Sequence, residues 1–385
     1  MFSAFPYFSF MNFKTLLYGI ILSTALSACF SVNRPEEKLD TLPLDQINLP
    51  DGFEISIFAE GVVNARSMVR SEQGTLYVGS RDAGKVYAIK DTDGDFKADE
   101  LIVLAEGLNT PNGVAYKDGN LYVAEIDKIW RFDDIENNLS APKKTLLDDQ
   151  FPDDAWHGWK YIAFGPDEKL YVPVGAPCNV CENEDERYAT IMRMNADGSE
   201  KEVYAQGVRN SVGFDWHPEK AELWFTNNGR DMLGDDIPHD ELNHAPRKDM
   251  HFGFPYCHEG TLPDPRFGKK RDCNEFTAPA QRLLPHTAAL GMKFYTGTQF
   301  PESFKHDILI AEHGSWNRTQ PQGYRISRVK LEGDRAVSYE AFAEGWLGES
   351  KAWGRPVDIL QLPDGSLLVS DDFADVIYRI SYRAA

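Results

Sequence analysis

Short apolar runs recur along the chain, each preceded by a polar turn and followed by small residues. They are Leu76-Tyr77-Val78, Leu121-Tyr122-Val123, Leu170-Tyr171-Val172, Leu223-Trp224-Phe225, Ile308-Leu309-Ile310 and Leu367-Leu368-Val369. Turns such as Lys117-Asp118-Gly119, Gly165-Pro166-Asp167-Glu168 and Leu362-Pro363-Asp364-Gly365 stand ahead of them. Branched and aromatic residues bounded by Gly, Pro and Asp predict β-strands. A following strand is predicted in five copies, at 85–89, 128–132, 191–195, 324–331 and 376–381; the fourth copy is the least regular.

Successive runs begin 45, 49, 53, 85 and 59 residues apart. A four-stranded propeller blade repeats every ~40–50 residues, so the first three intervals match one blade each. Helical periodicity is scarce, which argues against a doubly wound α/β sheet. Six copies predict an all-β, six-bladed β-propeller over residues 49–385. The 85-residue interval predicts an insertion after the fourth blade's Leu223-Trp224-Phe225 strand, at roughly 231–290. In a propeller the loops at one end of the channel converge, so chemistry is expected at equivalent strand mouths of several blades.

Composition narrows the picture. With 40 Lys+Arg against 60 Asp+Glu the net charge is −20, which repels phosphate backbones and argues against nucleic-acid binding. The N-terminal apolar run Leu16–Leu22, preceded by Lys14, is too short to span a bilayer comfortably and reads as an export signal, with Met11 a plausible start. It ends in Leu26-Ser27-Ala28-Cys29, which resembles a bacterial lipobox. The expectation is a signal peptide over 1–28, a lipidated Cys29 with a tether over 29–48, and a membrane contact through the lipid alone. Phe30 rather than Asp after the Cys favours the outer membrane, facing the periplasm. Four cysteines remain, an even number suited to an oxidising compartment, most simply paired Cys178–Cys181 and Cys257–Cys273. Glu182 stands where a haem-attachment motif needs His.

Several motifs sit at strand mouths. Trp156-His157-Gly158-Trp159-Lys160 places an imidazole between two indoles, either a tuned base or a satisfied histidine in an aromatic cluster. Arg209-Asn210 precedes the fourth blade's first strand, where it is a cation and amide for a ligand or a turn cap beside a surface Arg. Asn228-Gly229-Arg230-Asp231 follows the second strand, where a Gly lets backbone carbonyls approach an ion. Asp91, Asp93, Asp95 and Asp99 alternate along one loop and suit either a structural Ca²⁺ or a solvated acidic turn, without the Gly and Glu that an EF-hand requires. His217, His239, His244, His251 and His258 are dispersed, with no repeated ligand spacing.

His157 ahead of Gly165-Pro166-Asp167, Arg209-Asn210 and Asn228-Gly229-Arg230-Asp231 together resemble the glucose/sorbosone dehydrogenase family, in its sorbosone-dehydrogenase-like branch. The match continues through Pro285–Met292, Ala311-Glu312-His313-Gly314-Ser315-Trp316-Asn317-Arg318 and Gly354-Arg355-Pro356-Val357-Asp358. The family's members are six-bladed propellers that use pyrroloquinoline quinone (PQQ) and Ca²⁺ to oxidise sugars at a hemiacetal or aldehyde carbon. The resemblance implies His157 as general base and Arg209 as the stabiliser of developing negative charge. It implies Asn210, His313, Arg318 and Arg355 as cofactor contacts, with the Gly229 and Arg230 carbonyls on the catalytic calcium. Trp156 stands where the glucose-oxidising branch has Asp, and Arg230 where it has Pro, which leaves the sugar open. Without a haem motif, electrons are expected to pass to a separate acceptor, a cytochrome or a membrane quinone. Two other readings stay open: a calcium-dependent lactonase-type propeller, which calls for carboxylates and amides converging on one metal, and a non-catalytic binding propeller, which calls for no base or cation cluster at the mouth.

Overall fold

The structure is a computed structural model that describes residues 41–349 and 351–384; the expected signal, Cys29 and the first part of the tether lie outside them. Six antiparallel sheets follow one another along the chain as six blades. The first comprises strands Ala65–Arg70, Leu76–Ser80, Val86–Lys90 and Glu100–Ala105, and the second Gly113–Lys117, Asn120–Ala124, Ile129–Asp133 and Lys143–Asp148. In the third, Ala163–Phe164, Leu170–Val174, Thr190–Met194 and Glu202–Gln206 pair in order. The fourth contains Phe214–Trp216, Leu223–Asn227, His239–Ala245 and Gln281–Pro285, and the fifth Ala289–Phe294, Ile308–Glu312, Arg325–Glu332 and Arg335–Glu344. The sixth joins Pro356–Gln361, Leu367–Asp371 and Val376–Tyr382 to Phe53–Glu60 from the start of the fold. That last pairing, in register from Phe53↔Tyr382 to Glu60↔Val376, closes the ring.

All six apolar runs are second strands. Five of these strands are buried at every position. A strand covered on both faces by neighbouring blades has no solvent side, so its sequence is a continuous apolar run rather than an alternation. Outer strands such as Lys143–Asp148 stay largely exposed and carry charge instead.

Near the axis the backbones crowd. A Cβ on Gly213 would stand 2.1 Å from the Leu290 carbonyl oxygen, so only Gly fits at this closest approach. The innermost strands of blades 1, 5 and 6 each shift register at their start, between Ala65 and Met68, Ala289 and Met292, and Pro356 and Ile359. Such bulges re-aim the side chains at a strand mouth.

The fourth blade's long interval is only partly insertion. Its third and fourth strands and the head of blade 5 all lie within 231–290, which narrows the extra segment to 246–280. Within it, Met250–His251 adds a parallel strand to the outer edge of blade 3, and Cys257–Cys273 staples the loop. Both expected disulfides are present. Part of the expected tether is docked: Ile47 is buried, Leu42 and Leu44 pack on the same core together with Leu49 just beyond it, and Asn48 bridges to Glu344. Those four apolar residues give the stretch a face to bury.

Candidate active site

One cavity of about 290 Å³ collects residues from the mouths of several blades. His157, Arg209, Asn210, Gly229 and Arg355 line it together, separated by up to 198 positions in sequence, and His313 joins them. The Asp91 loop is elsewhere: Asp91, Asp93 and Asp99 each offer an oxygen within 4.8 Å of the others, whereas Asp95 accepts from the Lys97 N–H.

His157 is buried in a left-handed conformation (φ 55°), an uncommon state for a non-glycine residue. Its Nδ1 lies 2.8 Å from the Ala176 carbonyl oxygen, which makes Nδ1 the protonated nitrogen and leaves a lone pair on Nε2. Burial, helped by the positive Arg209 and opposed by the Ala176 carbonyl, lowers its pKa to about 3. The imidazole is therefore neutral at pH 7.

Arg209 is almost fully committed. Nε donates to the Asn179 carbonyl at 2.9 Å, and one terminal nitrogen donates to Asn179 Oδ1 (3.0 Å) and Asp231 Oδ2 (2.9 Å). The other terminal nitrogen donates to the Asn228 carbonyl at 3.3 Å, leaving one of its five N–H groups. Asn179 lies between the two cysteines of the Cys178–Cys181 bridge, so this short disulfide loop forms the bracket of the guanidinium. Asn210 is fixed through Asn227 and Asn228.

Gly229 is oriented by its own N–H, which donates to Asp240 Oδ1 at 2.8 Å. Burial raises the Asp240 pKa to about 6. Among the described residues no donor reaches the Gly229 or Arg230 carbonyl. The Arg230 side chain turns to Asp264 at 2.5 Å. Arg355 donates to the His313 and Gly314 carbonyls, at 3.1 and 2.9 Å.

Three expectations shift. Arg230, expected beside Gly229 on the calcium, is not among the residues lining the cavity. Arg318 is not among the residues lining the cavity: it is held by the Gln320 and Asp235 carbonyls, with Asp236 at 3.5 Å. His313 does line it but is no cation, because burial, with Arg355 adding to it, lowers its pKa to about 3. Its Nε2 donates to Asp372 at 2.7 Å.

A family model described as "Domain of unknown function (DUF7133)" matches residues 40–381. The chain belongs to this family. An uncharacterized protein of Borreliella burgdorferi is 35% identical to this DUF7133 protein over 353 residues, covering 88% of this chain and 91% of its own. A pyrroloquinoline quinone-dependent pyranose dehydrogenase of Coprinopsis cinerea is 22% identical over 416 residues, covering 88% of this chain; the match spans 55% of that enzyme's length. The holo form of the Coprinopsis enzyme's PQQ domain superposes with a TM-score of 0.73 at 19% identity, covering 90% of this chain and 98% of its own. A calcium structure of a Trichoderma reesei Carbohydrate-Active Enzymes Family AA12 protein gives 0.72 at 20% identity, with coverages of 88% and 97%. At these identities the likeness shows the fold.

The DUF7133 cavity also holds residues that the sequence motifs did not single out. Arg66, in the first strand of blade 1, lines it, with Nε on Asn112 Oδ1 (2.7 Å) and an ion pair to Asp372 (2.9 Å). Arg81 lines it too, 5.5 Å over the Trp159 ring. On two lining residues that do belong to the motifs, the Trp159 indole nitrogen and Asn317 Oδ1 are buried without a hydrogen-bond partner. Arg66 had a sequence signal: like Arg209 and Arg355 it stands at the head of an innermost strand.

Four arginines thus face two lining aspartates, Asp231 and Asp240. Both carboxylates are already bonded, Asp231 to Arg209 and Asn317, and Asp240 to the Gly229 N–H and Thr287. The site is a local positive basin in an acidic protein. It contains a neutral base, a spare guanidinium N–H, a buried indole donor and the Gly229 carbonyl, unpaired among the described residues.

Proposed function

We propose that this protein is an exported, PQQ- and calcium-dependent oxidoreductase that oxidises the hemiacetal or aldehyde carbon of a sugar. The observation that carries the reading is the meeting, in one cavity, of the neutral His157 with four arginines and Gly229, whose carbonyl oxygen no donor among the described residues reaches. The donor set fits the cofactor. A tricarboxylate needs several cations, and Arg66, Arg81 and Arg355 keep N–H groups not used within the protein, in the planar geometry that grips carboxylates. Calcium takes oxygen ligands, and the Gly229 and Arg230 carbonyls and Asn317 Oδ1 are such oxygens. The activity of the Coprinopsis relative, a pyrroloquinoline quinone-dependent pyranose dehydrogenase, and its holo PQQ domain support the same class.

When bound, the quinone supplies the two-electron acceptance that the side chains of this protein lack. The rest falls to the chain. His157 Nε2 takes the proton of the substrate hydroxyl, its other nitrogen held in the right tautomer by Ala176. The free N–H of Arg209 stabilises negative charge developing on that oxygen. Exposed Trp316, 67% accessible on the cavity wall, offers an apolar face to a sugar ring. Electrons pass to a separate acceptor, a cytochrome or a membrane quinone. Lipidation at Cys29 would tether the enzyme to the envelope, facing the periplasm. Aldoses, pyranoses and sorbosone are all candidates within this chemistry. The lactonase alternative is less well supported, because the lining carboxylates are spent on protein partners; the binding-propeller alternative does not account for the cation cluster.

The test is turnover of an aldose and sorbosone panel with an artificial electron acceptor, using protein supplied with PQQ and Ca²⁺. His157→Ala is expected to lower turnover at least ~100-fold, the contribution of a general base, with quinone binding nearly unchanged. Retained turnover in the variant would overturn the role of His157.

A further inference from the structure

The reading of His157 as base leaves one atom to act, and that atom already has a partner. Nδ1 is bonded to the Ala176 carbonyl, and the lone pair of Nε2 accepts the indole N–H of Trp156 at 3.1 Å. The two rings meet edge to face, with an interplanar angle of 88°. The burial of the pair is lopsided: His157 is buried, whereas Trp156, its chain neighbour, is 53% exposed. A large apolar ring left half in water gains little from packing at that place. Turning it outward would therefore open no sizeable void. The hydrogen bond to Nε2 is the specific contact that it would give up.

We propose that Trp156 is a positioning residue that caps the base, and that a substrate hydroxyl engages His157 Nε2 only by displacing the indole N–H. The proposal rests on the reading of His157 given above. The exchange makes and breaks no covalent bond: the N–H···Nε2 contact is replaced by O–H···Nε2, and the released indole N–H turns to water. Without substrate the cap keeps water and stray acids off the lone pair. Because one neutral hydrogen bond is exchanged for another, the cap taxes binding modestly, by about five-fold.

The experiment compares Trp156→Phe with the wild type in two readouts. The first needs no cofactor: long-range ¹H–¹⁵N spectra of histidine-labelled protein report each ring nitrogen. The expected result is a His157 that keeps its Nδ1–H tautomer in both proteins while its Nε2 resonance moves towards that of a free lone pair in the variant. An unmoved Nε2 resonance would overturn the cap. The second readout is steady-state kinetics of the loaded enzyme, where Trp156→Phe is expected to lower KM about five-fold with kcat held within about two-fold. A fall in kcat with KM unchanged would overturn the displacement step. A spectral shift in a protein that oxidises no sugar would keep the cap and discard the dehydrogenase reading, so the two failures are distinguishable.

Discussion

Arg209 shows how much of the site depends on a neighbour that no motif marks. Four of its N–H groups are spent on Asn179, Asp231 and Asn228, so its remaining direction is set by them. Asn179→Ala removes the Oδ1 that accepts both from Arg209 and from the Asp231 N–H. A charge-assisted hydrogen bond is worth ~1.5–3 kcal/mol, so turnover should drop about ten- to a hundred-fold in initial-rate assays while the fold persists. Unchanged turnover would mean that Arg209 does not depend on this bracket. At this scale the sequence marked His157, Arg209, Asn210, Gly229 and Arg355, because each lies in a distinctive local string. It did not mark Asn179, Arg66 or Arg81, whose roles depend on contacts across the fold. Arg318 differs for a related reason: its string matches the motif, but the side chain is turned to the Asp235 carbonyl and Asp236 and does not line the cavity.

Elements were easier to read than contacts between them. The second strands declare themselves by continuous burial, and their spacing counts the blades. The 246–280 segment had no periodic pattern, so its bounds were overdrawn and its tie to the site went unseen. That tie is Arg230–Asp264, an ion pair buried under the loop that carries Gly229. Burial alone would raise the Asp264 carboxyl, but hydrogen bonds from His258, Arg230 and the Arg266 and Phe267 N–H groups hold it well below the usual carboxylate range. A depressed folded pKa contributes stability that is fully present above the unfolded value near ~4 and is lost as pH falls below it. Asp264→Asn leaves Arg230 buried without its counter-charge and should cost about 3 kcal/mol at pH 7. Denaturant unfolding at pH 7 and pH 3 should show this loss together with a flatter acid decline than the wild type. An equal pH slope in both proteins would contradict the assignment.

Across the whole molecule, the contrast between surface and channel carries the account. A chain of net charge −20 gathers Arg66, Arg81, Arg209 and Arg355 at one end of a propeller axis. The ring that brings them together is closed by Phe53–Glu60 pairing with the last strand, a contact between residues more than 300 positions apart. Composition predicted the acidic exterior. The positive basin emerges only when the mouths of blades 1, 4 and 6 meet. Asp372 illustrates the result. Buried, it would resist ionisation, yet His313, Arg66 and Arg355 hold it ionised, far below the ordinary carboxylate value.

The most direct measurement is calorimetric titration of the metal-free protein with PQQ, in the presence of Ca²⁺ and again with a chelator. The account predicts saturable one-to-one binding at about micromolar quinone or tighter, lost with the chelator and weakened in Arg66→Ala. Absence of binding at micromolar quinone with Ca²⁺ present would contradict it.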